Sequence, residues 1–94
     1  MSKYIVDLVN TRSGFMGKFG LDLVITTVGG VDFSHQVVVR DTVYRSVPYS
    51  RNFPSFRHAR AFFNLCLERE GTLTEVADLF ALTREFYEGE NAGQ

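Results

Sequence analysis

A chain of 94 residues with 45% hydrophobic side chains and a formal charge of −1 supports one domain around one core, with no apolar surplus for a second. Its single cysteine, Cys66, excludes an internal disulfide and with it the small secreted, disulfide-stapled scaffolds. No run approaches the ~20 apolar residues of a membrane-spanning helix, and Asp7 interrupts the first apolar stretch, so the chain reads as cytoplasmic with no signal peptide.

Residues 3–9 predict a first strand, because Tyr4, Ile5, Val6, Leu8 and Val9 are β-formers with little polar alternation. Residues 10–17 predict a loop around Gly14 and Gly17. Two more strands are expected over 18–28 and 31–40, joined at Gly29-Gly30, where glycine supplies the positive φ of a tight turn. The apolar positions set their register. A two-residue loop pairs Leu21, Leu23 and Ile25 with Val38, Gln36 and Ser34, which mixes the faces. A slip of one residue places them opposite Val39, Val37 and His35, with Phe33 opposite Thr27, and gives one apolar face. A three- or five-residue loop, or a glycine bulge, is therefore expected. Residues 42–47 predict a short fourth strand ended by Pro48, which cannot donate into a ladder, and 49–54 a loop.

Ser55 is a suitable N-cap for a helix over 56–70 that stops at Gly71. Phe56, Ala59, Phe63, Cys66 and Leu67, widened by Phe62, share its inner stripe. Thr72-Leu73-Thr74-Glu75 fits a capping box, which opens a second helix. Val76, Ala77, Phe80 and Tyr87 mark its inner face, widened by Leu73, Leu79 and Phe86, and Gly89 ends it. The expected domain spans 1–89, with 90–94 a frayed tail. Strands first and helices later predict an α+β fold: an antiparallel three- to four-stranded sheet followed by two antiparallel helices packed on one face.

Charge divides along the chain. Residues 1–67 hold eight Lys and Arg against four Asp, whereas 68–94 hold seven acidic groups against Arg69 and Arg84. Within the basic part Arg40, Arg45, Arg51, Arg57 and Arg60 lie among Tyr44, Tyr49, Phe53 and Phe56. Guanidinium forks bind carboxylates or phosphates and stack on aromatic rings, so this segment suits an acidic protein surface or RNA. The loop Gly14-Phe15-Met16-Gly17-Lys18-Phe19-Gly20 lacks P-loop spacing, since Phe19 stands where Ser or Thr is needed. Phe15 and Met16 are instead either an apolar contact patch on a hinged tip or a fold-back over the sheet end. His35 and His58 have no ligand spacing for zinc, Cys66 lies on an inner helical stripe, and no Asp pair is placed as acid and base. No cofactor is implied.

The string Leu73-Thr74-Glu75-Val76-Ala77-Asp78-Leu79-Phe80-Ala81-Leu82-Thr83-Arg84 resembles the first helix and turn of a helix-turn-helix DNA-binding motif. The resemblance covers about fifteen residues. Ala81 stands where that family usually has its turn glycine, and the following Glu85-Phe86-Tyr87-Glu88-Gly89-Glu90 is acidic, which phosphate repels. The leading expectation is a non-enzymatic protein-binding module that inhibits or regulates by occupying a partner surface. In general build it is similar to small phage-borne inhibitors, anti-CRISPR proteins among them. The contact residues expected are Arg45, Tyr49, Arg51, Phe53, Arg57 and Arg60, the loop pair Phe15 and Met16, and Glu85 and Glu88 at the acidic end. Those glutamates suit a nucleic-acid-handling partner by mimicking phosphate charge, and the two charged ends suit a homodimer. The alternative is direct nucleic-acid binding through residues 40–60 or a degenerate helix-turn-helix at 72–87.

Overall fold

The computed structural model describes residues 4–29 and 34–92. Four strands, β1 (Tyr4–Ser13), β2 (Leu21–Gly29), β3 (Ser34–Asp41) and β4 (Ser46–Phe53), precede two helices, α1 (Phe56–Glu68) and α2 (Ala77–Ala92). The sheet is an antiparallel meander in the order β1-β2-β3-β4, so β1 and β4 are its edges. This is the expected α+β arrangement.

One face carries the core. Leu21, Leu23 and Ile25 of β2, Val37 and Val39 of β3, and Tyr49 and Phe53 of β4 alternate onto it and are buried. α1 lies across β2, β3 and β4 through Ala59, Phe62, Phe63 and Cys66, close to the expected stripe. α2 packs on α1 and reaches β4 through aromatic rings. The reverse face buries Val24, Thr26 and Val38. It is polar beside them: Gln36 Nε2 donates to Asn52 Oδ1 at 2.6 Å, and Arg40 lies 3.6 Å from Asp22.

Several boundaries differ from expectation. β1 continues through residues 10–13, taken from sequence as loop, because their backbone pairs with Asp22 through Ile25 across two bulges. The β2–β3 register keeps the expected parity but lies two residues further along: Leu23 pairs with Val39, Ile25 with Val37 and Thr27 with His35. A two-residue offset leaves every side chain on its face, which is why the apolar pattern alone could not separate the two registers. Val28 pairs with Ser34. The turn itself and the expected start of the third strand at 31–33 lie outside the described residues, as do residues 1–3 and 93–94.

The fourth strand is the largest correction. Residues 42–45 form a turn instead, in which Asp41 Oδ1 accepts from the backbone N–H of Val43 and of Tyr44, both at 3.0 Å. Arg45 takes φ 54° to reverse the chain. Pairing resumes at Ser46, and Pro48 sits inside the strand. It is tolerated because β4 is an edge and the ladder bulges there, between the pairs Asp41–Ser46 and Val39–Tyr49.

Ser55 caps α1 as expected, accepting from His58 N–H at 3.2 Å. α1 stops at Glu68, and a 3₁₀ turn over Glu70–Thr72 leads to α2. Asp78, in the first turn of α2, ties down the segment that leads into the helix: its Oδ2 accepts from Thr74 N–H at 2.8 Å, Thr74 Oγ1–H at 2.9 Å and Glu75 N–H at 3.1 Å. These bonds hold its carboxyl below the usual range. The capping box expected from Thr72 and Glu75 is not formed: Thr72 Oγ1 donates to the Arg69 carbonyl at 2.8 Å, and Glu75 takes part through its N–H. Leu79, Leu82 and Thr83 form the buried stripe of α2, with Val76 and Phe86 partly buried against the core, so the inner face is rotated from the expected one and Ala77 is exposed. Gly89 does not end the helix, which continues through Ala92, including residues expected to fray.

Candidate functional site

Consecutive residues of a strand point to opposite faces, so Tyr49, Arg51 and Phe53 of β4 all project to the helix side. On α2, Phe80, Arg84 and Tyr87 follow i, i+4, i+7 spacing and form a second stripe beside the buried one. The two rows face each other across a cleft of about 440 Å³, whose wall also includes Ser50, Thr83 and Glu88.

The floor is a buried hydrogen-bond chain. Thr83 Oγ1–H donates to the Leu79 carbonyl at 2.6 Å, so the 2.6 Å contact between Tyr49 Oη and Thr83 Oγ1 has Tyr49 as donor. Burial pushes the Tyr49 phenol up to about 12, so it stays a neutral donor throughout the physiological range. The walls are braced by rings. Tyr49 stacks on Phe62 at 6.2 Å and meets Phe80 edge-on at 5.1 Å, while Phe53 lies parallel to Tyr87 at 5.9 Å. The Arg51 guanidinium lies 5.1 Å over the Tyr87 ring, within cation–π range. Phe80 remains 57% exposed although its edge touches Tyr49.

Three arginines outside the cleft are paired with carboxylates, whereas Arg45, Arg57 and Arg60, like the two cleft arginines, have no such partner among the described residues. Arg12 pairs with Glu70 at 3.2 Å, Arg40 with Asp22 at 3.6 Å and Arg69 with Glu85 at 3.3 Å. Arg51 and Arg84 have no carboxylate partner among the described residues. Two arginines against Glu88 leave the cleft with an excess of one positive charge.

Of the residues singled out from sequence, the fold brings Tyr49, Arg51 and Glu88 to this cleft. Phe53 lies beneath it in the core. Arg45 lines a separate hollow of about 380 Å³ at the β3–β4 turn, and Arg57 and Arg60 are exposed on α1. Glu85 is exposed and pairs with Arg69. Phe15 is fully buried and presents no surface, because its loop folds back over the sheet end. Met16 packs against the same core at φ 60°, its N–H held at 2.7 Å by Glu70 Oε2. Ser50, Phe80, Thr83, Arg84 and Tyr87 line the cleft but are not among the contact residues expected from sequence. The available signal was the 80/84/87 spacing, of which Phe80 and Tyr87 were assigned to the inner face and Arg84 to neither face.

A second exposed surface lies at the sheet end, where Phe19 is 95% and Tyr44 81% exposed. Among the described residues no group of three or more His, Cys, Asp or Glu is placed to hold a metal. Burial pushes the Cys66 thiol up to about 12, which removes its nucleophilic form at neutral pH. His35 Nδ1 lies 3.3 Å from Thr27 Oγ1, and the ring meets Phe56 edge-on. No helix of the described residues is long and apolar enough to cross a membrane.

No protein-family model, curated protein or solved structure matches this chain.

Proposed function

We infer that the chain is a non-enzymatic protein-binding module, and that it inhibits or regulates its partner by occupying that partner's surface through the β4–α2 cleft. One observation carries the reading. Arg51, Arg84, Phe80 and Tyr87 converge on a single concave surface without carboxylate partners among the described residues for either arginine. Aromatic residues and arginine are the side chains enriched at interface anchors, where a ring fills a hollow and a desolvated guanidinium meets a carboxylate. Pre-stacking Arg51 on Tyr87 lowers the conformational entropy lost when a partner carboxylate arrives. The Tyr49 and Thr83 hydroxyls at its floor are bonded to each other and to the Leu79 carbonyl, which suits a role as supports for the anchors.

The stacked Arg51–Tyr87 pair also suits a nucleotide base, but Glu88 in the same wall opposes phosphate. The two readings part in one experiment. Tagged protein is used to capture partners from the source cell, with Arg51→Glu/Arg84→Glu and Arg57→Glu/Arg60→Glu as parallel variants. Loss of a defined protein only with the first pair is the expected result. Equal loss with both pairs, or retardation of mixed DNA and RNA by the wild type at low salt, contradicts it.

A further inference from the structure

The geometry points to the kind of partner: an extended polypeptide segment, carrying acidic side chains, that adds to the free edge of β4 as a fifth strand beneath α2. This rests on the protein-binding reading and specifies its ligand.

β4 is an outer strand of the sheet, so alternate N–H and C=O groups along it face away from β3. Natural edges are blunted by proline, by charged side chains standing over the edge, or by a covering element. Proline occurs here at 48 and at 54, and the five residues between them, Tyr49–Ser50–Arg51–Asn52–Phe53, all retain their N–H. Ser50, Arg51 and Asn52 are exposed, and the one charged side chain among the five is drawn onto Tyr87. The two prolines thus bound an open stretch long enough for one short strand.

A strand added at this edge would meet two different faces. Its side chains would alternate, one set toward the helix side and the other toward the polar face that holds Ser50 and Asn52. The inward set would enter the cleft between β4 and α2, against Arg51, Arg84, Phe80 and Tyr87. Carboxylates suit the two arginines and an aliphatic side chain suits the exposed Phe80 ring. Strand addition of this kind takes affinity from main-chain hydrogen bonds and specificity from alternate side-chain pockets, and here both halves lie side by side.

The test is a titration of the intact protein with the synthetic peptide Thr-Glu-Thr-Val-Thr-Glu-Thr-Val, followed by backbone amide NMR shifts. Shift changes are expected on the amides of residues 49–53 and along 80–88. Arg51→Glu/Arg84→Glu should weaken binding about tenfold or more, and the peptide with Lys in place of Glu should not bind. A set of peptides methylated at one amide nitrogen each leaves the protein unaltered, so it does not depend on any variant folding. Methylation should abolish binding at every second position only, since alternate amides face β4. A flat methylation profile, shift changes confined to other surfaces, or equal binding of the Lys peptide overturns the inference. A captured partner protein that depends on Arg51 and Arg84 but binds with no change at residues 49–53 also overturns it, while leaving the protein-binding reading intact.

Discussion

The bond between Tyr49 and Thr83 forms the floor of the cleft, and its energetics can be taken apart by a double-mutant cycle. Tyr49→Phe removes the donor and leaves Thr83 still bonded to the Leu79 carbonyl, so the expected cost is that of a net hydrogen bond, about 0.5–1.5 kcal/mol. Thr83→Val instead leaves the Tyr49 hydroxyl in a buried position without its acceptor, at an expected cost of about 1–3 kcal/mol. Replacing both puts two apolar groups of matching shape together and should come close to wild type, so the double variant is more stable than Thr83→Val alone. The assay is urea unfolding, comparing midpoints at constant m. Tyr49 also makes a pH signature. An unfolded tyrosine loses its proton near 10.0, whereas folded Tyr49 keeps it to about 12. Its contribution is therefore complete below pH 10 and is lost as pH rises toward 12. Buried Cys66, moved from 9.0 to about 12, adds a slope of the same sign. Tyr49→Phe should flatten the alkaline decline without abolishing it, leaving the Cys66 part. Strictly additive costs in the cycle, or an alkaline slope unchanged by Tyr49→Phe, would refute the reasoning.

Gly89 lies inside α2 with nothing within 4 Å of an added Cβ, so Gly89→Ala should raise stability by about 0.5–1 kcal/mol in the same denaturation assay. Gly20 is the reverse case: at φ +78°, with Val43 Cγ2 2.6 Å from an added Cβ, Gly20→Ala should cost about 1–2 kcal/mol or more. Phe62 is fully buried among Tyr49, Phe53 and Phe86, and Phe62→Ala should cost about 3–5 kcal/mol by thermal or chemical unfolding. Because Asp78 is held as a carboxylate by three donors, its contribution should be present above the ordinary Asp range and be lost as pH falls through its lowered value. Asp78→Asn should remove that acid-side dependence, read from melting temperature against pH.

The fold class was legible because two periodicities are clean: alternation through Leu21, Leu23 and Ile25, and the α1 stripe through Ala59, Phe63 and Cys66. Parity of the β2–β3 register followed from alternation, but its absolute value did not, since Leu23 opposite Val37 and Leu23 opposite Val39 satisfy the same face. β4 was hidden by two local signals that tertiary context overrode. Val43 and Tyr44 look like strand residues, yet Asp41 captures their N–H groups in a turn. Pro48 looks like a terminator, yet an edge bulge accommodates it. Misplacing β4 left Tyr49 and Arg51 on a loop and so concealed the cleft, which exists only because those residues form a strand opposite α2. The rotation of α2 had the same effect on Phe80 and Arg84. Leu82 was passed over as an inward position, and without it the helix appears to bury its cleft-facing side.

The central claim is that the partner docks in the cleft between β4 and α2, and crosslinking from defined positions tests it most directly. A photoreactive phenylalanine analogue replaces Phe80, whose exposed ring lines the cleft, and separately Asn64, exposed on α1, and each protein is irradiated in the source cell. One protein adduct of defined mass is expected from position 80, weakened by Arg84→Glu, and none from position 64. Adducts from position 64 with none from position 80, or adducts that nuclease rather than protease removes, would contradict the docking of the partner in this cleft.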